Sequence, residues 1–139
     1  MNRWKQVLLM VAVVFTTLLV LCPVVLLRAQ DKGEIKRRLL NKHGLTSVSG
    51  HDGVLAQVEL EPGAAEGRHT HPGDLLGYVQ QGTLTLNMEG KPATTVKEGE
   101  SFFVPANAIH WGVNEGKEPV KVLAAMVLEK DKPATSPAK

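Results

Sequence analysis

Residues 68–79 read RHTHPGDLLGYV. In an extended strand, residues i and i+2 share a face. His69 and His71 therefore aim two imidazoles at one point, and Pro72-Gly73 then turns the chain. Two imidazoles from one strand are the beginning of a metal site. The run after the turn offers Leu75 where a carboxylate could have completed it.

Outward from this stretch, short apolar runs recur between Gly, Pro and Asn punctuation, and helical periodicity is poor. Strands are expected over 53–60, 66–71, 75–80, 83–88, 94–97, 101–104, 109–113 and 120–128. Residues 83–88 (TLTLNM) alternate polar with apolar, which marks one buried and one wet face. Residues 35–43 read as a helical turn or an edge strand. Eight or nine short strands in about 95 residues imply an all-β fold, a barrel or double-sheet jelly roll. The domain is expected over 35–129. The tail 130–139, with Pro133 and Pro137 among Ala, Ser, Thr and Lys, is expected to be disordered.

The first 29 residues are set apart. Arg3 and Lys5 precede an uncharged run over 7–27, and Ala29 follows. This is the layout of a secretory signal peptide. The run is also long enough to span a bilayer, which takes roughly 20 residues, so a membrane anchor is the alternative. Leu27 is a poor residue two before a cleavage site at Ala29. Leu21 is a poor residue before a lipidated Cys22. Arg28, Lys32, Lys36, Arg37 and Arg38 flank the run and oppose export by the positive-inside rule. The expectation is an exported protein, periplasmic or secreted, or one held in the membrane through residues 7–27.

The sequence pI of about 8.8 belongs largely to this segment. Without residues 1–29 the chain carries 13 basic and 14 acidic residues, net −1, so no basic face for nucleic acid is implied. Cys22 is the only cysteine, and the domain can form no internal disulfide.

Two spaced motifs then become legible. The first is Gly63, five residues, His69-Thr70-His71, and Gly82. The second is Gly99, five residues, Pro105, Asn107, His110 and Asn114. Over roughly residues 45–128 the chain resembles the cupin superfamily, whose motifs are G-x5-H-x-H-x3-4-E-x6-G and G-x5-P-x-G-x2-H-x3-N. Asn107 replaces a glycine, a mild change because Asn tolerates left-handed backbone. The glutamate is the departure. With three residues intervening after His71 and six before Gly82, both counts lead to Leu75. Asp74 is adjacent, but alternation turns it to the other face, and only a bulge could bring it in.

The resemblance implies a cupin-type double-stranded β-helix, small domains that pair as homodimers, and three metal ligands, His69, His71 and His110. The ion it implies is a divalent transition metal such as Fe(II), Zn, Ni or Mn. Imidazole suits several such ions, Cu included, while Mg and Ca prefer oxygen. Three neutral imidazoles leave the ion its full charge and open positions, the mark of a catalytic site. Some three-histidine cupins, cysteine dioxygenase and gentisate dioxygenase among them, are oxygen-using iron enzymes.

Bland readings stand beside these. The histidines could be packed, hydrogen-bonded core residues. His43 and His51 lie outside the motifs and read as surface residues. Gly63, Gly82 and Gly99 read as turn residues. Phe102, Phe103 and Trp111 read as one or two core residues and one pocket wall. Tyr78 should face outward, and Gln57 could line the barrel mouth or be solvated. Two functions remain: a metal-dependent oxygenase acting on a small organic substrate, or a non-catalytic module that binds a small molecule or a metal. No general base is evident near the histidines. A metal-free structural cupin ranks last.

Overall fold

The structure, a computed structural model, describes residues 33–139. The signal or anchor segment expected over 1–29 lies outside the described residues. Ten strands follow: β1 (Ile35–Gly44), β2 (His51–Leu60), β3 (His69–Thr70), β4 (Gly73–Gln81), β5 (Thr83–Met88), β6 (Thr94–Lys97), β7 (Ser101–Val104), β8 (His110–Val113), β9 (Val120–Glu129) and β10 (Ser136–Pro137). They form two five-stranded sheets of order β1-β2-β9-β4-β7 and β10-β3-β8-β5-β6. Every pairing between them is antiparallel. This is the all-β double-sheet architecture expected from the strand spacing.

Alternation decides which side chains enter the interior. On β9, Val120, Val122, Ala124, Met126 and Leu128 are buried, and the residues between them are not. On β4, Leu75, Gly77 and Val79 point in, while Leu76 and Tyr78 are exposed. Two apolar clusters result. One gathers Leu60, Val79, Leu84, Leu86, Val96 and Val120. The other gathers Val54, Leu75, Val104, Ala124, Met126 and Leu128. Each fully buried Val or Leu contributes about 1.5–3 kcal/mol of transfer free energy. Phe102 touches both clusters. Its ring lies where a side chain on Gly77, its cross-strand partner, would have to be.

Three expectations are resolved or revised. Residues 35–43 are a strand, the outer edge of the first sheet, with a bulge between Leu39 and Asn41. The strand expected over 66–71 is confined to His69–Thr70. The disordered tail expected over 130–139 is overturned: Ser136 pairs with Thr70, and Pro137 with His69. Ala138 N–H donates to the Arg68 carbonyl at 2.9 Å. The reason is that β3 has a free edge whose backbone groups need partners. Composition records side chains and is blind to that need.

Asn107 adopts φ 61°, the left-handed conformation at the motif position where a glycine was replaced.

Candidate metal centre

The site is built from three short pieces of chain. β3 pairs with β8 so that His69 lies opposite His110. His71 follows two residues after His69 on the same face. The ligand atoms of the three histidines lie within 4.8 Å of one another. Their ring centroids are 5.0, 4.3 and 5.1 Å apart. All three side chains are buried. The expected triad is therefore brought together.

Each imidazole is oriented by a carbonyl. His69 Nδ1 lies 2.8 Å from the Gly67 carbonyl oxygen, and His110 Nδ1 lies 2.9 Å from that of Ala108. His71 Nδ1 lies 2.6 Å from the carbonyl oxygen of Ala134, which is 63 residues away. A carbonyl can only accept, so each Nδ1 carries the proton and each Nε2 keeps its lone pair. Burial pushes the pKa of both His71 and His110 below the ordinary 6.5, against the raising effect of those carbonyl bonds. Desolvation thus favours neutral rings, the protonation state a metal requires. Three converging ring nitrogens fit a divalent transition ion.

Leu75 occupies the fourth motif position. It is buried and lines the same cavity as the histidines. The β4–β9 register runs unbroken from Gly73 through Asp74 to Leu75, so no bulge brings Asp74 inward. Asp74 is exposed, and its Oδ1 accepts the Ala106 N–H at 3.0 Å.

The cavity has a volume of about 360 Å³. Its walls are mostly apolar and include Val54, Ala56, Leu86, Phe102, Ala124 and Met126. The charged and hydroxyl-bearing groups on its lining are Glu66, Arg37, Arg38 and Thr135. Glu66 bridges the two sheets. Its Oε1 accepts from Arg37 Nη2 at 2.8 Å, and its Oε2 accepts the Gly112 N–H at 3.0 Å. Gly112 has no side chain to obstruct that approach.

Sequence reasoning missed Glu66, Arg37 and Ala134 as neighbours of the histidines. A regular strand over 66–71 would have turned Glu66 away from His69 and His71. Because the chain is not a strand over 66–68, that parity does not apply. The remaining residues fall as one of their readings had it, except two aromatics: Phe102 alone of the three lines the cavity, while Phe103 and Trp111 lie on the outer side of their strands and supply neither core nor pocket wall. His43 is exposed, and His51 Nδ1 bonds the Ser49 carbonyl. Gln57 is off the cavity and donates to Gln80 at 2.8 Å. Tyr78 and Phe103 are exposed, and Trp111 sits beneath the Arg68 guanidinium at 5.6 Å. Asn114, the last residue of the second motif, is fully buried. Its amide donates to the carbonyls of Leu60 and Glu118 at 2.9 and 2.8 Å, and its oxygen accepts the Gly116 N–H. It ties two loops together and takes no part in the site.

Comparison with known proteins agrees with this geometry. Germin-like protein subfamily 2 member 2 of Arabidopsis thaliana is 37% identical over 76 residues, 51% of this chain and 35% of that protein. The chain thus spans about a third of the length of that relative. Among solved structures, a Klebsiella pneumoniae protein with a double-stranded β-helix domain superposes with a TM-score of 0.62 at 20% identity, covering 76% of this chain and 85% of that one. The DMSP lyase DddQ from Ruegeria pomeroyi gives 0.63 at 19% identity, covering 75% and 51%. Such identities speak for the fold alone. The cupin domain family model matches residues 56–126, about half of the chain and including all three histidines. With both motifs, the double sheet and the histidine triad in place, the chain belongs to the cupin family.

Proposed function

We propose that this cupin domain binds one divalent transition metal through His69, His71 and His110 and uses the centre to take a small organic ligand. The observation that carries the reading is the convergence of three histidines, each with Nε2 free, on an apolar cavity in which Leu75 replaces a carboxylate. A bound ion such as Fe(II), Zn, Ni or Mn would supply a Lewis acid with positions open to an oxygen donor.

The chain's own residues define what fits. The apolar wall selects a ligand with an apolar body, and about 360 Å³ is at the small end of ligand pockets. Glu66 is the one carboxylate on that wall, and it is the residue placed to accept a proton from a bound ligand. Arg37 holds Glu66 in place from β1. On this reading the protein is a metal-dependent enzyme, and oxygenase chemistry on the small molecule is its specific form.

The second reading, a non-catalytic binding module, draws on one feature. Both oxygens of Glu66 are already engaged by Arg37 and Gly112. Dioxygen uptake by the iron-loaded full chain separates the two, tested against thiols, diketones and aromatic diols. Uptake with one class supports the oxygenase. Ligand-induced shifts in a Co(II) spectrum without uptake support the binding module. Failure of the full chain to bind any of these ions sinks both.

A further inference from the structure

We propose that the C-terminal segment Ala134–Ala138 is a working part of the metal centre, a strap that sets the ligand face of His71. The inference rests on the metal-binding reading above and concerns how the chain builds that site.

Two of the three imidazoles are oriented locally. His69 and His110 each use the carbonyl two residues before them. His71 does not. Its Nδ1 is bound by the Ala134 carbonyl at 2.6 Å, with the Thr135 hydroxyl oxygen 3.4 Å from the same nitrogen. Among the described residues, the only partners of His71 Nδ1 belong to the strap. A neutral imidazole freed of a carbonyl partner distributes its proton over both nitrogens, and the Nε2–H form cannot bind a metal at Nε2.

The strap is attached by few contacts. It pairs with β3 only through Ser136 and Pro137, and Ala138 N–H reaches the Arg68 carbonyl at 2.9 Å. No large apolar side chain anchors it; Ala134 and Thr135 line the cavity on one side and are exposed on the other. Segments held this way open at low free-energy cost. Closure of the strap and metal binding are therefore coupled, and the coupling is reciprocal: the metal holds the strap closed as the strap holds His71.

The test compares the full chain with the same chain ended after Pro133. Two readouts are used. Histidine ¹⁵N shifts without metal report the tautomer. Titration with Co(II) reports affinity and ligand field. In the full chain, His71 should be a single Nδ1–H tautomer. In the shortened chain, His71 alone should become a mixture, with His69 and His110 unchanged. Co(II) affinity should fall roughly ten- to hundredfold, as for loss of an outer-shell partner, with an altered absorption band. A synthetic peptide of residues 133–139 should restore both. An unchanged His71 tautomer in the shortened chain overturns the proposal, as does unchanged Co(II) affinity where the full chain binds Co(II). A shortened chain in which all three histidines change together overturns it too, because the tail would then be holding the fold. Should the full chain take up no Co(II) while His71 alone loses its tautomer, the strap stands and the metal reading falls.

Discussion

His69 on β3 and His110 on β8 are directly opposed partners in an antiparallel pair. Two of the three candidate ligands are thus set by backbone register, and their positions do not depend on a loop. Replacing either with Ala, or His71 with Ala, leaves two imidazoles. Each variant should lose the single high-affinity site while its fold persists. Zinc titration with a chromophoric competitor, beside circular dichroism, checks this; retention of one tight equivalent in any of the three would be contrary.

Leu75→Glu tests the vacant fourth position. Leu75 shares the cavity with the histidines, so the new carboxylate should join the metal and tighten binding. It should also weaken exogenous oxygen-donor ligands by occupying an open position. Without metal, the same variant should be less stable, because it buries an unpaired acid. Asp74→Ala should leave metal affinity alone and cost about 1 kcal/mol through the lost bond to Ala106. Equal affinities for Leu75→Glu and the parent would place the position away from the ion.

The metal-free protein should lose stability on acidification. Burial lowers the pKa of His71 and His110 from 6.5. Below 6.5 the unfolded chain therefore binds more protons than the folded one, and stability falls as pH drops toward the folded values. Above that window their contribution is complete and flat. Urea midpoints measured at about pH 8 and about pH 5 give the sign. A saturating metal should move the loss to lower pH, because it competes with the protons.

Asn114→Ala should destabilise without touching the metal. It removes two donated bonds and one accepted bond at a fully buried position. The Leu60 carbonyl would be left without that donor in a buried setting. The expected cost is about 2–4 kcal/mol. Chemical denaturation and metal titration of the same sample separate the two effects.

Export is the expectation for residues 1–29. A reporter fused after Lys32 and active only outside the cytoplasm should show activity. Silence there would mean that the basic residues from Arg28 to Arg38 had set the topology by retaining the flank inside.

Much of the architecture was legible without coordinates. Alternation places Val120, Val122, Ala124, Met126 and Leu128 on one side of β9, and a period of two is a local property of an extended chain. The β5, β6 and β7 ranges follow from turn residues at their ends for the same reason. The histidine triad was legible because two spaced motifs carry it and because His69 and His71 share a face by alternation alone. Leu75 was legible as the missing ligand, since two independent counts meet there. What only the tertiary structure decided involves partners distant in sequence. Glu66 enters the cavity because the chain leaves strand geometry before β3. Residues 134–138 acquire order because β3 presents a free edge and His71 an unpartnered nitrogen. Backbone hydrogen bonds carry no side-chain signature, so a carbonyl at Ala134 binding a ring 63 residues away is written nowhere in the composition of the tail.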